Sequence, residues 1–435
     1  LFGAGGNNMI LSLKNIGKVE SAKVELNGIT VIAGENDTGK STIGKALYSI
    51  FNGFYKIESK IRDEREDNIE RLLDVLYHNV TNRMTMRVDT EEIAHTINMN
   101  ADKYRNNSTL LRADIIEAIS LSDSNFNQKT KDIASEDLNE IFKRIEDVLA
   151  ISDNDVFTSV LTKKLDVEFS GQVNNIFTDE SGEITLQIKN NSVTIKVEDN
   201  TVQSISENLH LNTEVIYIDD PFIMDEMSYP VFYGRFENYP DHREHLLSKL
   251  LGKEVDGSII AQIITTNKLD KIYSKINSIC NGEIVRNKRR SFGYKSSGSD
   301  KVLNSKNVSA GLKTFVILKT LLQNGTLEEN GTIVLDEPEV HLHPEWQLIF
   351  AELIVLIQRE FNMHILVNTH SPYFLNAIEV YAAKYQIADR CRYYQAVSHG
   401  NISKIEDVSD DVDAIYQRLA RPLQRLENER WSEDD

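Results

Sequence analysis

The sequence predicts an α/β protein: a mixed or parallel sheet flanked by helices, with a large helical insertion. Three observations carry this expectation. Apolar runs at Ile29–Ala33, Thr332–Asp336 and His364–Asn368 have the length and β-branched content of buried strands. The second and third are one crossover apart, which places both strand ends at the same carboxyl edge of a parallel sheet. The stretch between Ser41 and Asp336 far exceeds what one such core requires, and much of it has helical spacing.

Composition sets the outer limits. The chain has 435 residues, which corresponds to a prior of about three domains. Hydrophobic residues are 40% and charged residues 26%, so the chain can build an ordinary globular core. With 21 glycines and 7 prolines, collagen-like and low-complexity readings fail. Two cysteines, Cys280 and Cys391, exclude a disulfide scaffold and a cysteine-rich zinc module. No apolar run reaches the roughly 18 residues of a membrane span, and the best, Leu348–Ile357, carries Glu352. A cytoplasmic protein is expected. The net charge of −19 excludes a surface that is basic everywhere, while leaving room for one basic groove. Leu1–Asn8, ahead of Met9, has neither the cationic region nor the apolar core of a signal peptide and reads as an expression remnant.

Three strand-like runs follow, Met9–Leu13, Val19–Leu26 and Ile29–Ala33. The third enters Gly34-Glu35-Asn36-Asp37-Thr38-Gly39-Lys40-Ser41, then Thr42 and an amphipathic helix. This is G-x-x-x-x-G-K-[ST] between a strand and a helix, the context a phosphate loop requires. The glycines let backbone N–H groups curl around phosphates at the positive end of a helix. Lys40 neutralises the β- and γ-phosphates and the Ser41 hydroxyl ligates Mg²⁺. Asp37 is awkward, since it puts an anion into a loop meant for one unless it points outward. A P-loop NTPase is therefore expected.

The partner of such a loop is an apolar strand ending in acid. Val215-Ile216-Tyr217-Ile218-Asp219-Asp220-Pro221 looks right locally. Thr332-Ile333-Val334-Leu335-Asp336-Glu337-Pro338-Glu339 is preferred, because a helix and the strand ending Thr369-His370-Ser371-Pro372 follow it. Asp336 is expected to hold Mg²⁺ through water and Glu337 to act as general base on the attacking water. His370 is expected to hydrogen-bond the γ-phosphate. His341 and His343 lack the acid and histidine partners of a zinc set. Asn267-Lys268-Leu269-Asp270 spells a guanine-reading motif but precedes the acid strand, so adenine is the expected base.

Asn307-Val308-Ser309-Ala310-Gly311-Leu312-Lys313 opens another helix, with Ser309 and Gly311 set for a second phosphate-binding N-terminus. One nucleotide already has its loop, so a second turn implies a site shared by two subunits; the plainer alternative is a capped helix. Together, the Gly34–Ser41 loop, Ser309–Lys313, Asp336-Glu337-Pro338-Glu339 with its His-Leu-His-Pro extension, and Thr369–Pro372 resemble an ABC-type ATPase of the OLD-like group, related to RecF and SMC heads. The resemblance covers residues 9–55 and 280–380. It implies ATP and Mg²⁺ as cofactors and two heads sandwiching two ATP molecules, with Ser309 and Gly311 acting in trans. Leu312, where transporters carry a polar residue, and Asp37 depart from the pattern.

The division expected is a head at residues 9–55 and 211–435, with a mainly helical insertion at 56–210. The insertion begins as a charged helix from Gly44 to about Tyr77, continues as helices near Thr90–Ile97, Leu110–Ile119 and Ser135–Ile151, and ends in a hairpin, Glu183–Ile188 with Ser192–Val197. No sustained heptads support a long coiled coil. Arg286, Lys288, Arg289, Arg290 and Lys295, interleaved with Phe292 and Tyr294, form the candidate patch for nucleic-acid phosphates; the alternative is a solvated hairpin. The stretch after Ser371 reads as a helix, a strand at Arg390–Val397 and a helix at Val412–Asn428, without the nuclease domain of OLD nucleases. The effector is then expected on another chain, nuclease-like in character. The resemblance extends to ATPase subunits of antiphage systems such as Septu and PARIS, implying a homodimeric or larger ATP-driven switch in phage defence. A RecF-like DNA-repair ATPase and a nucleotide-stabilised scaffold are the alternatives.

Overall fold

In chain order the strands are β1 (Met9–Ile16), β2 (Val19–Leu26), β3 (Ile29–Ala33), β4 (Gly182–Ile188), β5 (Asn191–Glu198), β6 (Thr201–Ile205), β7 (Val215–Ile218), β8 (Glu283–Arg286), β9 (Phe292–Lys295), β10 (Leu303–Asn304), β11 (Thr332–Asp336), β12 (His364–Thr369), β13 (Cys391–His399) and β14 (Ile402–Asp407). This computed structural model describes residues 9–81, 88–105, 107–123, 126, 135–207, 209–227, 239–252, 270–286 and 292–432. Among these the chain forms two compact units, one up to Tyr55 and from Leu161 onward, the other Lys56–Val160.

The first unit is built on an eleven-stranded sheet in the order β6-β5-β4-β1-β2-β14-β13-β3-β12-β11-β7. Strands β13, β3, β12, β11 and β7 run parallel, in register Ile29↔Ile365, Thr332↔His364 and Thr332↔Val215. Strands β3, β7, β11 and β12 are buried along their whole length, because helices cover both faces of a parallel sheet. Strands β1, β2 and β4 alternate between buried and accessible positions, as antiparallel strands with one packed face do. The observed architecture is the expected α/β P-loop NTPase with a mixed sheet flanked by helices.

One face carries Ile216, Ile218, Ile333, Leu335, Ile365 and Val367 against helices Ala310–Gln323, Pro344–Phe361 and Pro372–Lys384. Phe315 meets Trp346 and Phe350 edge-on at 5.6 and 5.5 Å between ring centroids, and Phe350 stacks with Phe374 at 6.3 Å. Each of the three buried phenylalanines stabilises the fold by ~1.5–3 kcal/mol relative to exposure. On the other face, helix Lys40–Phe54 lies so close that a Cβ at Gly44 would stand 2.9 Å from Val334 Cγ1.

Two expectations change. The charged helix expected from Gly44 to Tyr77 is two helices, Lys40–Phe54 and Ile57–Thr81. Tyr55 is extended and Lys56 takes φ 50°, a left-handed turn that ends the first helix, and Tyr55 bridges to Leu211. The hairpin expected inside the insertion instead extends the main sheet: β4 pairs with β1 through Leu13↔Ile184 and Leu11↔Leu186, burying both rows. Its turn is Lys189-Asn190, with Lys189 at φ 55°.

The second unit is helical, with Ile57–Thr81, Thr90–Met99, Ser108–Ser122 and Ser135–Ala150 contributing to one core around Leu73, Tyr77, Ile97, Ile115, Phe142 and Ile145. Asp89 accepts from the Glu92 N–H and Asn107 from the Leu110 N–H, both at 3.1 Å. Caps of this kind stabilise a helix by about 1 kcal/mol each.

Candidate functional site

The phosphate loop leaves β3 and closes at Gly39, whose φ of 79° is the left-handed conformation glycine enters most readily. Thr38 is buried, and its hydroxyl donates to the Glu35 carbonyl at 2.8 Å. Lys40 is buried, and its ammonium donates to the carbonyls of Gly34 at 3.1 Å and Glu35 at 2.8 Å. Asn36 and Ser41 are exposed, while the Thr42 N–H donates to the Gly39 carbonyl at 3.1 Å. Asp37 points outward and pairs with Lys18, its side chain 79% exposed, which removes the conflict seen in the sequence.

The acid strand β11 delivers Asp336 and Glu337 to the same sheet edge. Asp336 is buried, and both its oxygens are occupied: Oδ2 accepts from the Tyr217 hydroxyl at 2.7 Å and Oδ1 from the Asn368 amide at 3.0 Å. No lysine, arginine or histidine pairs with it among the described residues. A buried carboxylate without a cationic partner among the described residues fits a hard divalent cation.

Glu337 takes φ 49°, an unusual backbone state for a side chain of this size, and its N–H donates to the Asn368 carbonyl at 2.9 Å. Its Oε1 lies 3.5 Å from Lys40 Nζ and 3.4 Å from His370 Nδ1. His370, then Lys40, hold the Glu337 carboxyl below its ordinary range against the effect of burial. The same contact, helped by Glu339, raises His370. Thus Lys40, Glu337 and His370, from three motifs far apart in the chain, form one cluster.

Glu339 belongs to the Asp336–Glu339 motif, which by itself assigns it no role. It is buried, accepts from the Thr369 hydroxyl and from the His370 N–H at 3.2 Å, and burial pushes its carboxyl up. Tyr217 and Asn368 were not foreseen either. Tyr217 lies in the segment set aside as a competing acid strand, and that segment is β7, beside β11. Its acids are engaged elsewhere: Asp219 lies 3.1 Å from His242 Nε2 and 3.3 Å from Arg243, which also reaches Asp220 at 3.3 Å. The register was the missing signal, since Val334 pairs with Tyr217 and Asp336 with Asn368 only once the strand order is known.

Ser309 is the N-cap of helix Ala310–Gln323, yet its side chain makes no capping bond and it is exposed. Its carbonyl accepts from the Lys313 N–H at 3.0 Å. Gly311 is buried where a Cβ would stand 2.9 Å from the His341 carbonyl. Lys313 turns inward onto Asp225 at 2.6 Å. A cavity of about 140 Å³ joins this helix, through Thr314 and Leu318, to Asp336, Glu337 and His341.

His343 caps helix Pro344–Phe361, and no cluster of three metal-binding side chains occurs among the described residues. The basic segment is the hairpin β8–β9; Lys288, Arg289 and Arg290 lie outside the described residues, as do residues 267–269 and Leu1–Asn8. Arg286 is exposed, but Tyr294 is buried, its hydroxyl accepting from the Gly282 N–H at 2.9 Å, and Phe292 packs on the core, so Tyr294 is not available to stack on a base. No helix among the described residues is long and apolar enough to cross a membrane.

The probable ATPase of retron Vc95 from Vibrio cholerae serotype O1 biovar El Tor is 27% identical over 164 residues, taking in 31% of each chain; the match thus spans about a third of that relative's length. An Smc head bound to the C-terminal winged-helix domain of ScpA matches with a TM-score of 0.43 and 12% identity, over 92% of this chain and 98% of that one. The SMC head domain from Thermotoga maritima matches with a TM-score of 0.38 and 11% identity, over 92% and 99%. The AAA ATPase domain family matches residues 9–375, from the first strand through the cluster of Lys40, Glu337 and His370, and the chain belongs to that family.

Proposed function

We propose that this protein binds ATP with Mg²⁺ and hydrolyses it between two copies of itself, working as a switch on a partner effector. The observation that carries the reading is the convergence of Lys40 and His370 within 3.5 Å of Glu337 Oε1. Lys40 would release Glu337 and take the β- and γ-phosphates. Glu337, held ionised by His370, would accept the proton of a water whose oxygen attacks the γ-phosphorus, while the ADP oxygen leaves. A base so placed contributes about 10²–10⁴ in rate. His370 would donate to the γ-phosphate. Ser41 and Asp336 would hold Mg²⁺, which supplies neutralisation of phosphate charge. The exposed, uncapped hydroxyl of Ser309, with Gly311, supports a contact to the nucleotide of a second subunit.

The resemblance of the motifs to OLD-like ATPases and the partial similarity to a retron ATPase favour a role in antiphage defence. The burial of Tyr294 weakens the reading as a DNA-repair ATPase. The test is Glu337→Gln. It should keep ATP affinity, lose turnover by at least about 100-fold and accumulate dimers with ATP and Mg²⁺ in mass photometry. Turnover at the wild-type rate in that variant would overturn the assignment of the base.

A further inference from the structure

We propose that Tyr217 is a positioning residue for Asp336: its phenol, admitted by Gly44 and braced by His242, fixes the carboxylate that carries the cation. The inference rests on the reading of Asp336 as the magnesium acid. Three independent features of the first unit converge on it.

The first is the bond itself. Tyr217 is fully buried, and a hydroxyl taken out of water is costly unless it is bonded. Its partner is Asp336 Oδ2 at 2.7 Å. With Asn368 donating to Oδ1, the carboxylate is held from the strands on both sides of β11. Two donors on two oxygens fix the plane of the group and leave lone pairs for water ligands of a cation.

The second is Gly44. It lies inside helix Lys40–Phe54, where glycine costs about 1 kcal/mol relative to alanine. A Cβ there would stand 3.2 Å from both Tyr217 Cζ and Oη. The helix that carries Lys40 thus omits a side chain where Val334 Cγ1, at 2.9 Å, and the phenol tip of Tyr217 both approach.

The third is the brace. The imidazole of His242 stacks on the Tyr217 ring at 4.4 Å and 25°. His242 is in turn clamped, Nδ1 at 2.7 Å from Glu168 Oε1 and Nε2 at 3.1 Å from Asp219 Oδ2. The Glu168 bond restrains the imidazole and the Asp219 carboxylate pairs with its charged form, so the phenol stacks on a restrained ring.

The experiment compares wild type, Y217F, G44A and H242Q in the full chain. A fluorescent ATP analogue is titrated without metal, then with increasing Mn²⁺ at fixed nucleotide, and ATPase kcat and KM are measured in parallel. Y217F keeps the ring and the stack and loses only the hydroxyl. It should leave metal-free nucleotide affinity unchanged, raise the Mn²⁺ concentration for half-maximal response by about 10-fold, and lower kcat more than it raises KM. G44A and H242Q should shift the metal response in the same direction by less. An unchanged or tighter metal response in Y217F overturns the inference, and should Y217F not fold, the same result in both G44A and H242Q does so. If wild type itself shows no metal response, the magnesium reading of Asp336 fails and the inference falls with it.

Discussion

Lys40 Nζ and Glu337 Oε1 lie 3.5 Å apart, so the lysine of the phosphate loop is ion-paired to the glutamate that follows the acid strand. The hydrogen bonds of Lys40 among the described residues go to backbone carbonyls of its own loop, those of Gly34 and Glu35. On the proposed reading, a triphosphate would claim this cation and free the glutamate. Lys40→Ala should weaken ATP binding by about 10–100-fold, the loss of one charge-assisted contact, as read by equilibrium titration with a fluorescent analogue. Undiminished affinity would mean that the phosphates bind elsewhere.

Ser309 and Lys40 are expected to serve the same nucleotide from different subunits. Ser309→Arg and Lys40→Ala should each be inactive as pure preparations. Mixed, they should form dimers in which one site carries both lesions and the other carries none, so a partial ATPase rate should return. Failure of the mixture to recover any rate, with mixed dimers verified by mass photometry, would argue that Ser309 does not act in trans.

The clamp on His242 gives the fold a pH signature. Burial alone would depress the imidazole, but the neighbouring Asp219 and Glu168 carboxylates prevail and push it up to about 9. A folded value above the unfolded one of 6.5 means that its stabilisation is complete below about pH 6.5 and is lost as pH rises through about 9. The contribution is of order 3 kcal/mol at neutral pH and below. Melting temperature should fall between pH 7 and 9.5 in wild type, and the fall should be smaller in His242→Gln.

Gly39 combines a left-handed backbone with a crowded position, since a Cβ there would stand 2.8 Å from Val19 Cγ2. Gly39→Ala should destabilise the head by ~1–3 kcal/mol through overpacking, on top of the backbone strain. It should also lower nucleotide affinity, because the loop closes at that residue. Thermal melting with and without nucleotide separates the two effects.

Much of the site was legible because its parts are local. The Gly34–Ser41 loop needs only a strand before it and a helix after it, and β3 and helix Lys40–Phe54 supply both. Asp336 and Glu337 end an unbroken apolar run, and His370 follows another. The hairpin at residues 183–197 was misassigned because alternation marks a strand without naming its partner; the partner, β1, lies far away in the chain. The break at Tyr55-Lys56 was missed because the apolar stripe continues through it, while the left-handed turn at Lys56 carries no glycine to announce it.

The amino-acid order alone determined the phosphate loop, the acid strand and the α/β class, since each depends on spacing within a few residues. Tertiary structure decided which side chains meet. It turned Asp37 out to Lys18, brought Glu337 to Lys40 and His370, and made Tyr217, in the rival acid strand, a donor to Asp336. The physical reason is that a parallel sheet aligns strands from distant parts of the chain. Contacts across its carboxyl edge depend on strand order and register, which no local pattern encodes.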